Sequence, residues 1–419
     1  MCVGYVDTAF YGAVILGFLR ECVPASSLLR DSASEPPRDL NGILSKTDWR
    51  NIRDNNKLQA ILRIGMAAVF SLFAAAVWYL QLFNKFDVFL AQMVANEIAR
   101  GIIYLIMFHQ FLRCFHRMEL LLNDFLISRF FGLNRTRLSV YIRNVIGSIV
   151  YEVFTEAFYF LALLLIFDAT GPWAFVLAWI FTAVLTMQQR ISEAPPVPGS
   201  DTTLHSLGSN ETSQKLRSYC EQVGFPFEQI RIQATAQFSG VATSAALGIG
   251  KRRTVVLSDT MFEFLTTDEI VAVTAYEIAQ HQLEHNRLRL YQLIFWDAMF
   301  WMGFGVFMQW GDVFAAAGIA GAPIHVGYAV YSIMMSPLLA ILDVFKYLPW
   351  REQEYVADAR AVGQIGKAGD LISGLTKMTV ANRMSLKGDM TPRRYPSILE
   401  RIEALKSNPV SQNRLVKPE

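Results

Sequence analysis

Ile149-VYEVFTEAFYFLALLLIFDATGPWAFVLAWIFTAVLT-Met187 is apolar almost throughout, and one turn signal, Asp168-Ala-Thr-Gly-Pro172, interrupts it. A bilayer core of about 30 Å takes a helix of roughly 20 mainly apolar residues. The stretch therefore reads as two spans joined by a hairpin. Three further blocks have the same character: Leu62–Phe83, Leu290–Trp310 and Val326–Leu348. Ala91–Leu112 is weaker because Glu97 and Arg100 interrupt it, and charges within a span face the bundle interior or water. Thr8–Leu19 is short. No basic region precedes it and no small-residue cleavage site follows, so it reads as a retained anchor helix rather than a signal peptide. Seven spans are expected.

The composition agrees with a polytopic membrane protein. Of 419 residues, 53% are apolar and 18% charged, against a usual charged share of about 25%, and the mean hydropathy is +0.29. This excludes a disordered chain, a coiled coil and an ordinary soluble enzyme. A net charge of +2 gives no footprint for nucleic acid. Cys2, Cys22, Cys114 and Cys220 lie far apart, with neither a disulfide framework nor a cysteine metal site in their spacing.

Soluble pieces separate the spans. Ser26–Lys57 reads as a polar loop and Glu193–Asp201 (EAPPVPGSD) as a linker. From Asp201 to Arg289 the chain is hydrophilic, with a helix near Glu211–Val223 and strand-like runs at Gln229–Ala234 and Arg253–Leu257. Thr266-Thr-Asp-Glu269 is a capping box that opens a helix running through Ile270–Arg289. The organisation expected is an anchor helix and polar loop (1–60), then membrane helices with a soluble loop at 114–146 (61–190). A soluble domain (191–289), a membrane helix pair (290–349) and soluble C-terminal helices (350–419) follow.

The chemistry-bearing helix reads Ala275-Tyr-Glu-Ile-Ala-Gln-His-Gln-Leu-Glu-His285, just before a span. Zinc peptidases often hold H-E-x-x-H in such a place. Two histidines one turn apart bind the metal, the Glu between them polarises bound water, and a later Glu completes the site. Here the later segment is Arg351-Glu-Gln-Glu354-Tyr-Val-Ala-Asp358. Ser128-Arg-Phe-Phe131-Gly-Leu-Asn134-Arg-Thr136, Gly248-Ile-Gly-Lys-Arg-Arg-Thr-Val-Val-Leu257-Ser-Asp259-Thr and Tyr395-Pro-Ser-Ile-Leu-Glu-Arg401 follow the same order as motifs of one family.

Together these resemble the integral-membrane CAAX prenyl proteases, zinc enzymes that trim farnesylated C-termini, and the likeness spans most of the chain. It implies an all-α polytopic membrane protein with about seven transmembrane helices forming a chamber, plus a small soluble α+β metallopeptidase-like domain with a short β-hairpin. By that resemblance Glu277 is the general base, Glu354 the third ligand, and Asp358 supports a zinc histidine from behind.

The sequence departs from the family at the metal. Tyr276 and Gln280 stand where the two zinc histidines belong, Ala279 replaces a Gly, Tyr395 replaces the His of S-H-P, and Thr243-Ser244-Ala245 replaces the substrate-strand N-A-Y. The six histidines (His109, His116, His205, His281, His285, His325) include neither ligand position. A phenol and a carboxamide are poor zinc donors, and a structural zinc site draws about 10 kcal/mol or more from its ligands. No zinc and no other cofactor is expected. Tyr276 and Gln280 are instead donors able to satisfy Glu277 and Glu354, a hydrogen-bonded plug tying two helices together.

The same helix spells an inverted motif, H-x-x-E-H, at His281, Glu284 and His285. His281 falls about 140° around the helix from Tyr276, so two ordinary helix-surface histidines are the plainer reading. Without an activated water Glu277 reads as an inherited buried acid rather than a residual base, and Asp358 as a cap or salt-bridge partner. Glu152 and Glu156 mark either a polar pathway or a solvated cavity-facing pair. Arg393 and Arg394 read as a solvated pair, with reach to the cavity as the alternative. The aromatics of Phe295–Phe307 read as lipid-facing anchors.

The function that follows is a catalytically inactive member of the fold serving as a structural, assembly or binding subunit. The lipid bilayer and proteins of a membrane complex are its partners. The alternative is an active zinc endopeptidase cleaving prenylated CAAX C-termini with shifted ligands. A chamber holding a lipid or prenyl chain is a third possibility. The resemblance implies the endoplasmic reticulum, with a mitochondrial inner-membrane complex as the alternative. Arg135, Arg137 and Arg143 suggest that the Asn123–Asn144 loop faces cytosol or matrix.

Overall fold

Inside hydrocarbon every backbone polar group must be satisfied within the chain, which makes a helix the self-sufficient solution for each apolar run. The structure, a computed structural model, is accordingly helical; it describes residues 2–32, 35–36, 44–192, 204–250, 253–387 and 395–407. Helices α1 (Cys2–Ser32) and α2 (Lys46–Tyr79) pack on one another. The hydroxyl of Ser45 caps α2 by accepting from the Asp48 N–H at 3.0 Å. Gln81, left-handed at φ 52°, turns the chain into the short α3 (Leu82–Met93). An Asn96 cap then opens α4 (Glu97–Leu122), which ends in a π-helical turn at Asn123–Ser128. α5 (Leu138–Thr170) and α6 (Ala174–Ser192) are joined through Gly171, whose φ of 54° suits glycine.

The soluble region comprises β1 (Leu204–Ser206), α7 (Glu211–Val223), β2 (Ile230–Gln233), β3 (Ser244–Leu247), β4 (Thr254–Ser258) and α8 (Thr267–Gln282). Its sheet runs β1-β2-β4-β3, with β2 and β4 parallel and the other pairs antiparallel. The capping box at Thr266 and Glu269 is formed as the sequence predicts. α9 (His285–Phe307), α10 (Gly311–Ala316) and α11 (Ile324–Ile365) return through the apolar half, and α12 (Ala368–Ala381) and α13 (Ile398–Ser407) close over the soluble one. One core gathers Leu216, Val255, Leu257, Ile270 and Leu371 around α8; the other gathers Phe10, Tyr104, Phe160, Trp301 and Phe304 between the spans.

Several boundaries move. The anchor is a full helix, and both ends of the loop expected at Ser26–Lys57 are helical: α1 runs on to Ser32 and α2 begins at Lys46, while residues 35–36 and 44–45 are non-helical and 33–34 and 37–43 lie outside the described residues. The loop expected at 114–146 contracts to residues 129–137, because α4 and its π turn run on and α5 begins early. Among the described residues five helices are long and apolar enough to span a membrane: α1, α2, α4 with its π turn, α5 and α9. α11 qualifies as a sixth only as a pair bent by 57°, downstream of Pro337, where proline removes a helix hydrogen bond. α6, the remaining span of the seven expected, falls outside this measure.

Trp301, Phe304 and Phe307 are core residues rather than lipid anchors, whereas Phe295 is exposed. β3 falls where the family likeness put the substrate strand (Thr243-Ser244-Ala245), although Ser244-Ala-Ala-Leu carries no β-branched or aromatic residue to signal it locally; β1 is only three residues long and gives no signal of its own. Glu193–Asp201, Arg393, Arg394 and the last residues lie outside the described ones.

Glu152 and Glu156 belong to an ion-paired clasp between α4 and α5. Arg113 reaches Glu156 at 2.7 Å and Glu152 at 2.9 Å, Arg117 also pairs with Glu152, and His109 and Gln110 each lie 3.1 Å from Glu156. Both carboxylates are thus partnered across the helix pair, as buried charge requires.

Charge is divided between the ends of the bundle. At one end Asp7 accepts from Trp78, Asp87 pairs with Arg100 and His325, and Tyr5 bonds Asp312. The turns gathered there contribute Asp7, Asp87, Glu97, Asp168 and Asp312 but only Lys85 and Arg100. The opposite end, next to the soluble region, carries Arg113, Arg117, Arg129, Arg135, Arg137, Arg143, Arg190, Arg287 and Arg289, together with the acids Glu119, Asp124, Glu152 and Glu284, so the two ends differ chiefly in their number of basic residues. The positive-inside bias predicts that the soluble region faces the cytosol or matrix. In a cysteine-free background, Phe130→Cys is expected to react with an impermeant maleimide from that side only, and Asp168→Cys from the other only. The reverse pattern overturns the assignment.

Candidate functional site

Glu354, in the soluble half of α11, is wholly removed from solvent at 0% exposure. A carboxylate there must find its donors in the protein. α8 provides two: the Tyr276 hydroxyl donates to Oε2, and the Gln280 amide lies 3.1 Å from each oxygen. Gln280 Nε2 also donates to the Tyr276 hydroxyl at 2.9 Å. Tyr276 and Gln280, one turn apart, thus face Glu354 as the two histidines of the resembled motif would face a metal.

Arg289 was not found from the sequence. Its Nη2 lies 2.7 Å from Glu354 Oε1, its Nε donates to Gln353 Oε1 at 2.8 Å, and its guanidinium lies 5.2 Å from the Trp350 ring centroid. On the single helix expected through Ile270–Arg289, Arg289 would stand about 14 Å further along the axis than Gln280. The helix instead breaks after Gln282, where Glu284 takes a left-handed backbone (φ 54°) and α9 sets off in a new direction. No local signal announces that break, since Glu284 is neither Gly nor Asn.

Glu277 faces elsewhere. Its Oε1 accepts from the Ser244 hydroxyl at 2.6 Å, and the Ala246 backbone N–H also bonds it. Tyr276 and Gln280 therefore hold Glu354 alone, and β3 holds Glu277. Burial, offset by the Ser244 bond and reinforced by the Glu354 charge, pushes Glu277 up to about 7. Desolvation and the neighbouring Glu354 likewise raise the Tyr276 phenol, which stays a neutral donor. Asn286 donates to the carbonyls of Ala246 and Gly248 at 3.0 and 3.3 Å. Along the outer edge of β3 these backbone groups are already taken by the chain's own side chains, one way of closing an edge strand.

Asp358 makes a two-pronged pair with Arg401 of α13, at 2.8 and 2.6 Å, and the Arg401 guanidinium lies 4.5 Å from the Tyr276 ring centroid. The salt-bridge reading of Asp358 thus describes its geometry. Tyr395 is 44% exposed. His281 and His285 are buried, not surface residues. His281 lies 3.2 Å from the Thr254 carbonyl and stacks on Phe225, and burial holds it down to about 4. His285 Nδ1 lies 3.0 Å from Gln280 Oε1, while Glu284 is exposed and pairs with Arg287. The three side chains of the inverted motif thus have partners in three directions.

Residues 27–189 match the family model described as the CAAX prenyl protease N-terminal region with five membrane helices, and residues 207–415 match that of peptidase family M48. The chain is 23% identical to a CAAX prenyl protease 1 homolog of Arabidopsis thaliana over 290 residues, 68% of each chain. It is 25% identical to CAAX prenyl protease 1 of Saccharomyces cerevisiae over 306 residues, 68% of this chain and 67% of that one. The fold is that of the S. mikatae Ste24p crystal structure, with a TM-score of 0.86, 18% identity, and 95% and 98% of the two chains covered.

The zinc implied by the likeness does not fit the residues present. Every donor directed at Glu354 is a phenol, an amide or a guanidinium, and neither a neutral phenol nor an amide replaces an imidazole.

Two outcomes are expected. Because burial raises Glu277, the folded chain keeps a proton that the unfolded chain loses above its ordinary value of 4.5. Stability from this group is complete below that pH and is lost as pH rises through about 7, an effect of up to about 3 kcal/mol. Glu277→Gln should flatten that part of the Tm–pH curve; an unchanged slope contradicts it. Arg401→Met strands a buried Asp358 and should cost about 3–5 kcal/mol, with much of the loss regained in Arg401→Met/Asp358→Leu on thermal denaturation.

Proposed function

Since this chain belongs to the CAAX prenyl proteases, peptidase family M48, we propose that it is a catalytically inactive member, retained as a structural, assembly or binding subunit of a membrane complex. The observation that carries this reading is the filling of both Glu354 oxygens by Tyr276 and Gln280. Peptide hydrolysis of the M48 kind uses a Lewis acid to polarise a carbonyl and generate hydroxide. Here the corresponding space holds two hydrogen-bond donors that fasten α8 to α11. Glu277, which burial pushes up to about 7, faces Ser244 rather than a positioned nucleophile.

The integral-membrane setting goes with the family and its apolar helices. The family resemblance favours the endoplasmic reticulum; recruitment into a mitochondrial inner-membrane complex is the competing placement. An apolar cavity of about 480 Å³ between α2, α3 and α4, lined by Phe70, Phe73, Phe83, Phe108 and Phe111, would suit a lipid tail, in line with a binding role.

Metal content and peptidase activity decide the matter. The purified protein is expected to hold well under one zinc per chain and to leave prenylated CAAX peptides uncut. One zinc per chain with chelator-sensitive cleavage, abolished by Glu277→Gln, would mean an active endopeptidase. Tyr276→Phe, which withdraws a donor from a buried carboxylate, should lower stability by about 1–3 kcal/mol; an unchanged Tm would mean that the phenol is not part of the plug. Co-purification from native membranes with mass spectrometry identifies the partners and the compartment.

A further inference from the structure

The Tyr276 hydroxyl and Gln280 amide satisfy lone pairs of Glu354, but they are neutral and leave its charge in place. A carboxylate held entirely out of water needs a counter-charge as well as donors. In the metallopeptidases that this chain resembles, the metal is that charge. Arg289 provides it here: it is buried, its Nη2 lies 2.7 Å from Glu354 Oε1, and it pairs with no other carboxylate among the described residues. Gln353 at 2.8 Å and the Trp350 ring fix the orientation of its guanidinium. The second buried carboxylate of α11, Asp358, has its own cation in Arg401, so Arg289 is not shared.

We infer that Arg289 is a built-in counter-cation which has taken the electrostatic place of the metal. Three residues of this chain, Tyr276, Gln280 and Arg289, therefore close the site, and restoring two imidazoles does not reopen it. The inference rests on the inactive reading proposed above. A guanidinium and a divalent cation cannot both sit against one carboxylate oxygen without strong repulsion at such separations. Arg289 is always charged, so pH does not relieve the competition.

The test uses the full chain in lipid nanodiscs: wild type, Tyr276→His/Gln280→His, and that pair combined with Arg289→Gln. Zinc affinity is measured by competition with a chelating indicator, and the visible spectrum of bound cobalt reports tetrahedral coordination. The triple variant is expected to bind zinc at least tenfold more tightly than the double variant and to give the cobalt bands. A difference below tenfold, including a folded triple variant that binds nothing, overturns the inference. One zinc per wild-type chain rejects the inactive reading itself, a separable result. A thermal cycle is the second measurement: Arg289→Gln should lower Tm, and adding Glu354→Gln should recover most of that loss, because the buried charge is then gone. Failure of Glu354→Gln to recover it also overturns the inference.

Discussion

A carboxylate with no water around it is the constraint on which the soluble half of this protein turns. Glu354 sits on α11, and its partners come from α8 and from the first turns of α9. The pairing fixes the angle at which the chain leaves the soluble region for the membrane. Nearby, Arg401 of α13 holds Asp358 and covers the Tyr276 ring, so the last helix is locked to the same cluster. Four helices meet through a handful of polar contacts, set in a core of residues such as Ala275, Ile278, Ala357 and Ala361.

The two acids inherited from the family motif have separate environments. Glu354 is saturated by donors and a cation. Glu277 receives a serine hydroxyl and a backbone N–H but no cation, and its burial disfavours the anion. In an M48 enzyme these two groups cooperate around one metal-bound water. Their partners here point them apart, one into the interhelical contact and one onto β3. Asn286 bonds the carbonyls of Ala246 in β3, the strand to which the family likeness assigns substrate, and of Gly248 just beyond it.

The apolar half obeys another rule. Arg113 and Arg117 of α4 pair with Glu152 and Glu156 of α5, and Arg113 serves both carboxylates at once. Such a clasp selects which helix neighbours which, where apolar packing against lipid-like surroundings discriminates weakly.

Hydrophobic run length placed five of the expected spans, a sixth as a bent pair, and the soluble stretch between them, because the thickness of hydrocarbon imposes a length that tertiary context does not alter. The motif order around Glu277 and Glu354 likewise announced the fold, and the missing imidazoles were plain in the letters Tyr276 and Gln280. Helix ends were less legible. α2, α4 and α5 continue well past the apolar residues, since a helix that emerges into an ordered soluble layer gains further packing. β3 was legible only through the family likeness, because its strand state comes from pairing with β4, not from its own side chains. What only the tertiary structure decided was the counter-charge. A left-handed turn at Glu284 swings Arg289 back onto Glu354, and a contact created by a change of chain direction leaves no trace in local sequence.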